Sequence, residues 1–296
     1  MFYLYGEPEC LRTLLLLTAK NGAVARGESQ LREYYFDFVT AIGGPELRPQ
    51  CSSERITYDD ARIQKLMAKH TDFAAPNDLQ VGALETPLAV REEAMQAVTA
   101  AIEHLGKVNA GLRRVFDLAI HTVFYHRSRH SGGGSISSAP GVIWCSNRRT
   151  WSPTDMAEFL IHELTHNLLF LDERRHEHYV NPQLLSDPAA FAVSVVLKRP
   201  RPLDRAFHSL VVASEVLSFR QENGEPNAPL VHPSTYDLLC ASRSTIEGIR
   251  AVLARNPLVT PRFMEVLERV DEQTKAMSVA ASTKTAPASM LAASVS

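Results

Sequence analysis

The turn His162-Glu163-Leu164-Thr165-His166 constrains this chain more than any other stretch. Two histidines four residues apart fall on one side of an α-helix, about 6 Å apart along its axis, so both imidazoles can reach one metal ion. Glu163 is turned about 100° away. From there its carboxylate can face a metal-bound water or a substrate and exchange a proton. The chemistry requires a real helix, and the flanking residues supply one. Ser152 can accept from the first free N–H groups, Pro153 suits the first helical position, and Asp155 stands where a capping box places a carboxylate. Met156, Phe159, Leu160, Leu164 and Leu168 then form an apolar stripe at helical spacing. The helix is expected to span about 19 residues and to end near Leu171-Asp172.

Two histidines leave a metal site incomplete, because catalytic metals take a third protein ligand and keep positions open for water or substrate. The next helix, Leu203 to Arg220, presents His208, Val212, Glu215 and Phe219 on one face. His208 and Glu215 are separated by about 10 Å along that helix, so one ion cannot take both. Glu215 would complete the His-His-Glu set usual in zinc hydrolases, and His208 a three-histidine set suited to zinc or non-haem iron. The residue left over could orient a ligand.

Before the metal helix, Ala119 to Tyr125 and Gly141 to Ser146 read as short strands. They flank Ser131-Gly132-Gly133-Gly134-Ser135-Ile136-Ser137-Ser138, read as a flexible turn or lid, since it lacks the lysine and following helix of a phosphate loop. Strand, glycine turn, strand and metal helix follow the order of a peptide-binding edge beside an active-site helix; an edge hairpin without that role fits equally. His121 and His126 read as packed or surface histidines. The run Asp172 to Tyr179 reads as a solvated charged face, and residues 180 to 202 as loop.

Residues 1 to 115 read as an N-terminal helical lobe, 116 to 275 as the metal-site domain, and 276 to 296 as a disordered tail poor in apolar bulk. Within the lobe, helices are expected over Leu11 to Thr18 and Leu31 to Ile42. A third is capped by Thr57 with Asp60, and a long one runs from Thr86-Pro87 to Gly106. Residues 71 to 85 read as loop. Further helices are expected over Ser234 to Leu253 and from Thr260-Pro261 through Val270.

The whole is expected to be α+β and mostly helical, with a zincin-like metal helix beside a small antiparallel sheet. A net charge of −2 gives no reason to expect nucleic acid as partner. No stretch is long enough to span a bilayer, and Glu7 and Glu9 spoil a signal sequence, so no membrane partner is expected. Cys10, Cys51, Cys145 and Cys240 lie far apart without paired spacing, which suits a reducing compartment and a cytoplasmic protein.

Gly132-Gly133-Gly134-Ser135, Gly141-Val142-Ile143-Trp144 and Ala157 through His166 together resemble the HExxH-type peptide-modification proteins. Arg199-Pro200-Arg201-Pro202-Leu203 with Phe207-His208 is similar to their downstream segment. The resemblance covers roughly residues 115 to 255. It implies a role in natural-product peptide pathways. It also implies iron(II) as metal, 2-oxoglutarate as cosubstrate, and hydroxylation at the β-carbon of a peptide residue. His162, His166 and His208 would be the metal ligands. The far carboxylate of 2-oxoglutarate needs a cation, for which Arg148, Arg201 and Arg220 are candidates. Motif chemistry alone points instead to Zn(II) and hydrolysis, with Glu163 as general base.

Overall fold

Helix α6, Pro153–His176, starts at the marked cap. Ser152 Oγ accepts from Asp155 N and Ser152 N donates to Asp155 Oδ2, both at 3.0 Å, so each satisfies an otherwise free donor. In the computed structural model, which describes residues 1–49, 55–70, 86–128 and 131–285, this helix outruns its expected end. Leu171 and Asp172 remain buried, and Arg174, Arg175 and His176 form a basic last turn that complements the helix dipole. What read as a solvated charge run is partly the end of the helix. Glu177, with φ of 50°, stops it.

The chain divides into two units, Met1–Glu177 with Glu215–Pro233, and His178–Ser214 with Ser234–Ser296. In the first unit, helices α1 (Phe2–Leu17), α2 (Glu28–Gly43), α3 (Asp60–Lys69), α4 (Leu88–Val108) and α5 (Ala110–Ala119) precede the sheet. Helix α6 packs against α1, α4 and α5. Asp59, rather than Thr57, caps α3 by accepting from Arg62 N at 3.1 Å. The α5 segment was not foreseen; Asn109 starts it by accepting from Gly111 N and Leu112 N. Leu14, Leu31, Tyr35, Val39, Leu66 and Trp144 belong to one buried cluster.

Strands β1 (Thr122–Tyr125), β2 (Gly133–Gly134) and β3 (Val142–Cys145) form a sheet in the order β1-β3-β2. β1 and β3 run parallel, with Thr122 beside Val142 and Tyr125 beside Cys145, while β2 pairs antiparallel with β3. The sheet is thus mixed, a correction to the antiparallel expectation. The chain between β1 and β3 is long enough to return to the starting end of β1 and to leave β2 at the edge.

The second unit contains β4 (Phe191–Val193), β5 (Pro200–Pro202), helix α8 (Thr235–Leu253) and α9 (Pro261–Thr285). Helix α7, Leu203–Asn223, contributes residues to both units. The loop reading of 180 to 202 missed the β4–β5 pair, which places two prolines in a short strand where few N–H groups are needed. Phe207 and Phe263 stack at 3.9 Å. Helix α9 passes well beyond Val270 and into the expected tail. Val270, Thr274 and Met277 continue one buried stripe. Cys51, the 71–85 loop and the tail after Thr285 lie outside the described residues. No described helix is long and apolar enough to cross a membrane.

Candidate metal centre

Glu158, His162 and His166 follow one another at four-residue spacing on α6 and so share a face. His162 Nε2 and His166 Nε2 are 3.1 Å apart. Two nitrogens each about 2.1 Å from an ion, at roughly a right angle, lie about 3 Å apart, so the pair fits one shared metal. Glu163 Oε1 lies 4.0 Å from His162 Nε2. Its other oxygen accepts from Ser135 Oγ at 2.8 Å. Burial pushes the Glu163 carboxyl up to about 7, and the Ser135 hydrogen bond pulls the other way. Burial also holds His162 well below the ordinary histidine range, helped by His166 and His232, which favours the neutral ring that ligates metals.

Ser135 reaches Glu163 because the glycine run packs tightly. A Cβ on Gly133, at φ of +155°, would meet Phe159 Cζ at 2.3 Å and the Trp144 carbonyl oxygen at 2.5 Å. A Cβ on Gly132 would meet Trp151 at 2.5 Å. The run is a packed edge strand, not the loose lid its composition suggests. Burial pushes the thiol of Cys145, paired with Gly133, up to about 12, which disfavours the thiolate.

Glu215 is buried with both carboxylate oxygens turned to α1: Oε2 accepts from Tyr3 N at 3.0 Å and Oε1 from Leu4 N at 3.1 Å. There it caps free N–H groups of that helix. His208 is buried on the part of α7 that belongs to the second unit. Arg220 is engaged with neighbours of the first unit. Its Nε and Nη2 donate to Glu158 Oε1 at 2.6 Å and Oε2 at 2.8 Å, and its Nη1 donates to the Pro233 carbonyl at 2.9 Å. Arg201 is in β5 of the second unit, half-buried, its pKa lowered by burial and by neighbouring Arg205 and Arg199. Arg148 is exposed and lines a cleft of about 750 Å³ with Ala94, Ala97, Tyr125, Trp151 and Met156. His121 is a packed histidine, as expected. His178 packs among Tyr179, Phe207 and Phe263.

Sequence reasoning did not single out Ser135, Glu158 or His232. His232 Nε2 stands 2.8 Å from His162 Nδ1, and its Nδ1 stands 3.2 Å from Glu158 Oε2. Glu158 had a signal, standing four residues before His162. His232 had none, because only the folded chain brings it there. Among the described residues no group of three or more His, Cys, Asp or Glu side chains is arranged to hold a metal ion. The chain matches no protein-family model and no curated protein.

Proposed function

We propose that this chain is a metal-dependent peptide-modifying enzyme, and specifically an iron(II)- and 2-oxoglutarate-dependent hydroxylase of a peptide. One observation supports a metal enzyme above all: two imidazole Nε2 atoms 3.1 Å apart, with a buried carboxylate 4.0 Å from the first. The choice of oxidation rests on the resemblance to HExxH-type peptide-modification proteins. His162 and His166 would hold the ion. Iron, when bound, supplies oxygen activation with 2-oxoglutarate as reductant. Glu163 would hold a proton at Oε1 beside the ion, kept in place by Ser135. Strand β2 is at the sheet edge, and its backbone could pair with an extended peptide.

One observation favours a second reading, a zinc-dependent peptide hydrolase. The buried Glu163 carboxyl lies 4.0 Å from His162 Nε2, within reach of a water on an ion held there. Zinc would supply Lewis acidity, and Glu163 would be the base.

Anaerobic addition of iron(II) and then 2-oxoglutarate separates the two readings. The hydroxylase predicts a weak visible band that disappears on admitting oxygen and is absent in His166→Ala. No band, with tightly held zinc, would favour the hydrolase. That reading also expects Glu163→Gln to retain metal but lose several orders of magnitude in peptide cleavage. Near-normal turnover by that variant excludes the base role.

A further inference from the structure

A second polar line reaches His162 from the ring edge that does not face His166. Arg220 holds Glu158 with two hydrogen bonds, and Glu158 Oε2 faces His232 Nδ1. His232 Nε2 then meets His162 Nδ1, with the two rings 24° from parallel. Glu158 is fully buried, and Arg220 and His232 are nearly so. A buried ion pair is a poor source of net stability, because desolvation offsets the attraction. Its place beside His162 therefore calls for another account.

The hydrogen-bond inventory gives one. An ionised carboxylate only accepts, so His232 Nδ1 carries a proton toward Glu158, and the neutral ring then presents a lone pair at Nε2. That lone pair can be met only by an N–H on His162 Nδ1. His162 Nε2 is then left without a proton and turned toward His166. This is the tautomer a ligand needs. Asp155 helps to place the line, since its Oδ1 accepts from Leu230 N at 2.9 Å, two residues before His232.

We infer that Arg220, Glu158 and His232 form a positioning relay that fixes the tautomer and ring angle of His162 for metal binding. The inference rests on the reading of His162 and His166 as metal ligands. His232 is a positioning residue in it, because it addresses the Nδ1 edge of His162 and not the Nε2 edge that faces the ion.

Cobalt(II) titration of the full chain, followed by visible absorption, tests the relay without turnover. His232→Phe keeps a ring but removes the acceptor, and should weaken cobalt binding 10- to 100-fold, the range usual for such outer partners. Its spectrum at saturation should keep the unaltered protein's band positions. His232→Gln, whose amide oxygen can take the His162 Nδ1 proton, should recover most of the affinity. Equal affinities for the Phe and Gln variants, or a Phe variant within twofold of the unaltered protein, would overturn the relay. Displaced bands at saturation would also overturn it, by making His232 a ligand itself. Failure of the unaltered chain to bind cobalt, or full binding by His166→Ala, would remove the metal site and the relay with it. That result is distinct from loss of the relay alone.

Discussion

His121 stands at the head of β1 with Nδ1 2.9 Å from Thr122 Oγ1 and Nε2 3.2 Å from the Pro140 carbonyl. Tyr35 and Phe36 close over its ring. Burial pushes its pKa down to about 3; the Pro140 hydrogen bond opposes this, and Arg62 and Arg55 add to it. An unfolded histidine titrates near 6.5. As pH falls below that value the unfolded state takes the proton first, so stability is lost progressively from about pH 6.5 down toward 3 and is full above it. The loss from this group is on the order of a few kcal/mol. Urea unfolding at several pH values should show a shallower acid slope for His121→Gln, and equal slopes would remove burial of this ring as the cause. The same residue was legible only as a packed or surface histidine. What a sequence shows at this scale is local spacing, as in His162, Glu163 and His166, whose relation one helical turn determines. Glu158 extends that spacing backwards by one turn. The approach of Ser135 or His232 depends on where distant segments return, and no spacing encodes it.

Among elements, strand β2 shows how much a short segment can be constrained. Gly133 combines a φ of +155° with Phe159 and the Trp144 carbonyl where a Cβ would go. Gly133→Ala should therefore cost about 1–3 kcal/mol through overpacking and strain. It should also loosen the hold of Ser135 on Glu163, two residues away. Thermal unfolding measures the first effect and cobalt titration the second; an alanine variant as stable as the parent would show that β2 is not packed in this way. The composition Gly-Gly-Gly-Ser reads equally as slack or as close approach, and only the neighbours Trp151, Phe159 and Trp144 decide. The start of α6 was more legible than its end or that of α9. Ser152 and Asp155 carry a mechanism for beginning α6, whereas α6 and α9 continue through charged and alanine-rich residues that resemble a stop or a tail. The parallel pairing of β1 with β3 was not legible, because strand direction is set by the connecting chain and not by strand composition.

Across the whole chain, Glu215–Pro233 has the largest consequence for its length. It belongs to the first unit although it follows part of the second in sequence. It brings three side chains to that unit: Glu215 to the start of α1, Arg220 to Glu158, and His232 to His162. Reading Glu215 as a metal ligand and reading it as a helix cap predict opposite results for one variant. Its carboxylate accepts from two N–H groups more than two hundred residues earlier, and hydrogen bonds to a charged acceptor in a buried setting are among the stronger ones. Glu215→Ala should leave those donors unmatched and destabilise the first unit by about 1–3 kcal/mol. Cobalt affinity and band positions should stay as in the parent at temperatures where the variant is folded, because the Nε2 atoms of His162 and His166 proposed to hold the ion are untouched. Thermal unfolding and cobalt titration on the same preparation check both. Full stability with lost cobalt binding would return Glu215 to the metal; lost stability with cobalt retained would make the return segment a tie that holds the first unit closed around its helix α6.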